Sequence, residues 1–487
     1  LELDSVRQAT EYRLNNNHPP VIPLVDKIGY GLGNLGVGIA MQVIGAYFVF
    51  FATAILGIPG SLAGLAVGIS VFWDAVTDPL MGYLSDQTRT RKLGRRHPYL
   101  IAGSLGIAAT VYLIWIIQPG WQTGAKFALM FIILIIFKSA MTVYITPYTA
   151  LGAELSTDYN ERTQIQGIKT IFFLSGLALV SVAGMYFFFQ PSADFPVGQL
   201  NPRSYRNIGL AAAILTVASA GICFGLTAKY IPRLRLSMPA ADSRPRHALL
   251  KSIQDTVKNR PFRATAFSYL FNNLASALLS SIGLHVFTYT FHLSSQQIAL
   301  VVGLQFLISI ISQPMWAAVS RRMDKKPALH LGLAFASAGS LIFILLVLFR
   351  HQLQANPYAF IPFSLLTGVG TGALFTLPLS MVADTIDFDE LRSGQRAEGL
   401  YYGSLTLYYK ASQAIAIFLI GILLDLIRFD ASLPVQSDIT TLSLGLVLAV
   451  GSLLSFGLSY LSLRGYDLDE VKVQAIQARI GVKKAGA

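Results

Sequence analysis

Cysteine is almost missing from this chain: Cys223 is the only one. A single thiol excludes an intrachain disulfide, and it excludes a zinc site built on clustered thiolates. Charge is scarce as well. Only 13% of the 487 residues are charged, whereas 53% are hydrophobic, too apolar a balance for a soluble protein of this length. No glycine loop follows a strand, and no metal cluster or nucleophile–base constellation is visible, so neither an enzyme nor a bound cofactor is expected. The first 26 residues are polar and hold no apolar core, so no cleavable signal peptide is read there.

What the chain does have is length of apolar run. Twelve stretches of about 20 residues or more are each long enough to cross a bilayer as a helix. A basic, proline-bearing stretch at 232–262 divides six runs from six. The expected architecture is an all-α membrane protein with twelve spans in two six-helix bundles, at 27–231 and 263–464, flanked by tails at 1–26 and 465–487. Within the linker, Arg246 to Lys258 has the pattern of a short amphipathic surface helix. The net charge of +12 does not point to nucleic acid, because its placement follows the spans. Arg89, Arg91, Lys92, Arg95 and Arg96 follow the second span, and Arg321, Arg322, Lys325 and Lys326 follow the eighth. The linker and both tails carry further Lys and Arg, while the opposite side holds only Lys126, Arg203, Arg206, Arg350 and Arg428. The positive-inside rule then puts both termini in the cytoplasm, in a multi-pass protein of the plasma (inner) membrane.

Asp74 and Asp78 lie one helical turn apart inside the second apolar run. Carboxylates are expensive in hydrocarbon and mark ion or proton pathways. Positions i and i+4 share a helix face, so the pair needs a cation, a proton or a basic partner. Thr77 adds a hydroxyl to that side, and Pro79 removes the N–H that would occupy the Ala75 carbonyl. Oxygen ligands of this kind suit Na⁺, and paired acids serve H⁺ equally well. The competing reading is a structural acid pair neutralised by a lysine on another helix.

The two halves echo each other. Asp78-Pro79 at the end of the second run matches Gln313-Pro314 in the eighth, each ahead of a basic loop. Tyr30 and Asn34 match Tyr269 and Asn273, and Pro147 with Glu154 matches Pro378 with Asp384. Such a repeat implies two bundles facing each other across a central site. The acid pair has no counterpart in the second half, so the ion site is expected to be asymmetric.

With this layout the chain resembles the major facilitator superfamily, whose loop between helices 2 and 3 is similar to Gly82 to Pro98 here. Asp74-Ala75-Val76-Thr77-Asp78-Pro79, Met381 to Gly399 and Lys410 resemble the glycoside–pentoside–hexuronide:cation symporters, the family of the melibiose permease. The sodium–lysophospholipid symporters of vertebrates share the aspartate element. The resemblance implies that Asp74, Thr77, Asp78 and Thr142 form a cation site. It also implies that Lys410 acts as the counter-charge when the cation leaves. One lysine cannot neutralise two acids, so a proton on the empty pair is expected as well. Lys169 lies where the lysophospholipid relatives carry an arginine. The two places where the melibiose permease holds its sugar with acids are Gly38 and Ile145 here.

Further candidates are polar or aromatic groups inside spans. Lys138, Lys169, Gln42, Asn272, Asn273, Tyr47 and Tyr148 are read as substrate contacts, with Tyr144 and Trp73 as further ring surfaces. Their alternative roles are snorkelling, helix-to-helix hydrogen bonds and packing. Asp86, Arg95, Arg96, Glu154, Asp384 and Arg396 lie at cytoplasmic helix ends and are expected to form a gate of ion pairs holding the two bundles together. The leading expectation is a monomer in the lipid bilayer that carries a sugar-like small solute with Na⁺ or H⁺ by alternating access. Transport of a lysolipid, or a sensor built on a transporter fold, are the alternatives.

Overall fold

In the computed structural model, residues 22–90, 92–156, 159–236, 256–394, 398–430, 433 and 435–485 are described. The surface helix expected at Arg246 to Lys258 lies almost wholly outside them, as do Arg396 and the first 21 residues.

Each apolar run becomes a helix. In chain order these are α1 Leu24–Phe50, α2 Gly60–Gln87, α3 His97–Leu113, α4 Thr123–Leu155, α5 Tyr159–Leu179 and α6 Pro202–Thr227. After the linker come α7 Arg260–His285, α8 Ser295–Met323, α9 Lys325–Leu348, α10 Ile361–Ser393, α11 Glu398–Leu426 and α12 Asp438–Ser462. All twelve are long and apolar enough to cross a membrane. Polar side chains start several of them by taking free backbone N–H groups: Asn201 for α6, Asn259 for α7 and Ser437 for α12. Ser294 and Gln297 form a reciprocal capping box at α8. The α10 helix stops at Gly394, whose φ of 73° places it in the left-handed region that glycine tolerates.

The packing repeats between halves. Helix α1 lies against α5 and α6, as α7 lies against α11 and α12. Helix α4 lies against α2 and α3, as α10 lies against α8 and α9. Even the irregularities repeat. Both α1 and α7 run into a π turn, at Phe51–Ile55 and Val286–Thr290. Both then close with the same pair of backbone bonds, Leu56 to Phe51 and Ile58 to Ala52 in one half, Phe291 to Val286 and Leu293 to Phe287 in the other.

The halves meet through α2 against α11, α1 against α7, and α8 against the end of α5. The polar contacts cluster at the end remote from the basic loops. Thr53 Oγ1 and His285 Nε2 are 2.7 Å apart, and Gln199 donates to the Leu293 carbonyl at 2.9 Å. Asp425, at the end of α11, accepts the backbone N–H groups of Gly60 and Ser61 at 2.7 and 2.9 Å, capping α2 from the other half.

The segment expected as a free C-terminal tail holds a further helix, α13 Glu470–Ala485. Val473, Ile476 and Ile480 pack it on the second half, and Gln477 donates to Asp387 at 2.8 Å.

Candidate functional site

The acid pair sits near mid-length of α2. Asp74 is the fifteenth residue of the 28 in that helix, and Asp78 is one turn further on. Helix α4 presents its own i, i+4 pair to them. Lys138 Nζ lies 3.3 Å from Asp74 Oδ2, and the Thr142 hydroxyl donates to Asp78 Oδ1 at 2.7 Å. Lys410 arrives from α11 in the other half, 2.5 Å from Asp78 Oδ2 and 3.5 Å from Asp74 Oδ2. Asp74 is 4% exposed, and its Oδ1 is buried with no hydrogen-bond partner. A buried carboxylate oxygen left without a donor is costly, which makes it a natural ligand position for a cation.

The four charges balance. Two carboxylates face two ammonium groups, so the cluster is neutral without a proton. The expectation of a proton on the empty pair counted Lys410 alone, and Lys138 adds a second basic partner. That lysine is therefore an ion-pair partner of Asp74 in this arrangement, not a free substrate contact. Thr77 is half-exposed and turns its hydroxyl to the Trp73 carbonyl of its own helix at 3.0 Å. Trp73 in turn donates to Ser139 at 2.8 Å, adding another bond between α2 and α4.

Several expected substrate contacts are packing groups. Tyr47 is 2% exposed, donates to the Val180 carbonyl at 2.9 Å and packs against Phe189 and Tyr205. Tyr148 is fully buried and stacked on Tyr30 at 4.6 Å, with each hydroxyl donating to the other's backbone carbonyl. Tyr144 is buried beside it and donates to the Gly33 carbonyl. Gln42 donates to Ser181 at 2.8 Å and ties α1 to α5. Asn273 turns back to the Tyr269 carbonyl at 2.8 Å. Two candidates keep open valence. Asn272 is 2% exposed and neither amide atom has a partner. Lys169 donates to Thr149 at 3.0 Å and lies 5.4 Å from the Tyr148 ring centre, with no carboxylate beside it among the described residues. Gly38 explains its own lack of an acid. A Cβ there would collide with the Phe173 carbonyl of α5, so no side chain fits at this crossing.

Among the residues expected as a gate, the described ion pairs run within each half in this arrangement. Arg96 is buried, 2.7 Å from Glu154 and 2.5 Å from Asp86, and Arg95 is 2.9 Å from the same Glu154. All four residues belong to the first half. Asp384 takes Lys325 at 2.6 Å and the Tyr466 hydroxyl at 2.9 Å, both in the second half. Burial and the Asp384 carboxylate push the Tyr466 phenol above its ordinary value. Each basic loop thus reaches the acid of its own fourth or tenth helix, and in this arrangement the pairs brace each bundle. Missed in the sequence were Thr53, His285 and Asp425 at the far end. Asp425 left one signal, a carboxylate closing an otherwise apolar run on the side poor in charge.

Comparison with known proteins places this geometry. A family model described as MFS/sugar transport protein matches residues 29–470. The chain belongs to that family. It is a secondary transporter and a multi-pass integral membrane protein. It is 26% identical to an uncharacterized symporter of Synechocystis sp., over 84% of this chain and 86% of that protein. It is 24% identical to the sodium-dependent lysophosphatidylcholine symporter 1-A of Danio rerio, over 91% of this chain and 86% of the relative. Among solved structures, the xylose transporter of E. coli in a partially occluded inward open conformation superposes with a TM-score of 0.60 at 14% identity, covering 92% of this chain and 98% of that one. The fold is therefore that of the major facilitator superfamily.

Proposed function

We propose that the transporter is a symporter that couples uptake of a small polar solute of sugar type to Na⁺ or H⁺. The observation that carries this is the cluster of Asp74, Asp78 and Thr142 in one half with Lys410 reaching them from the other. A cation held by the acids competes with Lys410 for the same carboxylate oxygens. Cation occupancy and the contact between halves are thereby tied together, which is what alternating access with coupling requires.

If the basic end is cytoplasmic, as the positive-inside rule implies, the arrangement described here is the one closed toward the outside. The family description supports a sugar-like solute. A lysolipid or other amphiphile is the second reading, supported by Lys169, a half-buried cation with no acid partner among the described residues, and by the Danio rerio relative. Proteoliposomes loaded by an inward Na⁺ or H⁺ gradient test the coupling, with pentosides, galactosides, hexuronates and lysophosphatidylcholine offered in turn. Accumulation of one of these under a cation gradient supports the proposal, and uptake that ignores both gradients contradicts it.

A further inference from the structure

We propose that Lys138 is the positioning residue that turns cation binding into an exchange against Lys410, and so sets the coupling at one cation per cycle. The inference rests on reading Asp74 and Asp78 as the cation site.

The two lysines touch the same carboxylate oxygen but belong to different bodies. Lys138 stands on α4, which packs against α2 within the first half, and its ammonium is 3.3 Å from Asp74 Oδ2. It stays with the acids however the halves move. Lys410 stands on α11 in the second half, and its ion pairs with Asp74 and Asp78 join the halves. It leaves when they part at this level.

Charge counting then gives Lys138 its role. The empty cluster holds two negative and two positive charges. A cation arriving at the unpartnered Asp74 Oδ1 would leave one positive charge in excess in a low-dielectric setting. Neutrality returns if Lys410 withdraws, which breaks the mid-depth bond between the halves. A second cation has no charge to balance and is excluded. Were Lys138 neutral, one cation and Lys410 together would balance the two acids. The cation would then bind without displacing anything, and occupancy would carry no message to the other half.

The test uses the full chain in nanodiscs, Na⁺ as the probe, calorimetry for affinity and a spin-label distance between α2 and α11 for the contact. In the parent, Na⁺ should bind and lengthen that distance. Lys138→Gln should bind Na⁺ at least about tenfold more tightly, because one repulsive charge is gone, yet leave the distance unchanged. Lys138→Arg should keep the parental behaviour in both readouts. A lysine that acts only by its charge would also raise affinity on neutralisation but leave the distance responding to Na⁺, so the distance separates the two roles. Lys138→Met, which keeps the apolar stem, replaces the glutamine variant if that one does not fold. Parental affinity in the neutral variant, or a distance that still responds to Na⁺, overturns the inference. Failure of the underlying reading has a different signature: no Na⁺ binding in the parent or in any variant.

Discussion

At the level of single residues, the charges of this transporter divide into those that brace a half and those that connect the halves. Arg96 belongs to the first kind. It is 5% exposed and held by Glu154, Asp86 and Ser85. Removing one partner of a buried ion pair costs roughly 3–5 kcal/mol. Arg96→Leu should therefore lower the unfolding temperature clearly, while labelling of engineered cysteines from the basic side stays near the parental level. A large rise in labelling without loss of stability would instead support a gate between halves. Lys410 belongs to the second kind. Lys410→Val leaves the empty cluster one charge negative, which hinders the return of the empty carrier through the bilayer. Net uptake should fall at least about tenfold, equivalent to roughly 1.4 kcal/mol on the barrier, while exchange of solute across the loaded carrier persists. Equal loss of net uptake and exchange would mean that Lys410 is needed for binding instead.

At the level of helices, the far-end closure rests on small polar contacts between half-helices. Asp425 caps α2 from across the interface, placing a negative charge on two free N–H groups and on the positive end of the helix dipole. Losing a cap of this kind costs about 1 kcal/mol, so Asp425→Ala should shift the equilibrium about fivefold toward opening at that end. Labelling of Ile58→Cys in a Cys223→Ser background measures this, since Ile58 is 2% exposed in the closed arrangement. Unchanged labelling would make the cap a local feature of α2. The existence of these helices was legible because each must be a long apolar run. Their faces were not. A membrane helix is apolar toward lipid and toward its neighbours alike, so periodicity does not say which side a tyrosine takes. Tyr47 and Tyr148 were thus read as pocket rings although both are sealed in the packing of the first half. Asp74, Asp78 and Lys410 were legible because charge inside a span has few settings, and Thr142 was legible only through the family resemblance.

At the level of the whole molecule, the repeat organises both the helices and the ion pairs at the basic end. Two halves of six helices were visible in matched prolines and asparagines, and the structure extends the match to the π turns that end α1 and α7. The same symmetry keeps Glu154 and Asp384 each with the basic loop of its own half, which a reading of charged ends alone could not distinguish from pairing between halves. The acid pair of α2 has no counterpart in α8, and transport is proposed to follow from that asymmetry. The most direct measurement is calorimetric titration of the purified transporter with Na⁺ in two buffers of different ionisation enthalpy. It counts both the Na⁺ bound and the protons released. The expected result is one cation site per chain, weakened at least about tenfold in Asp74→Asn and in Asp78→Asn with the folded state retained. Identical Na⁺ binding and proton release in the parent and both variants would contradict a cation site at these acids.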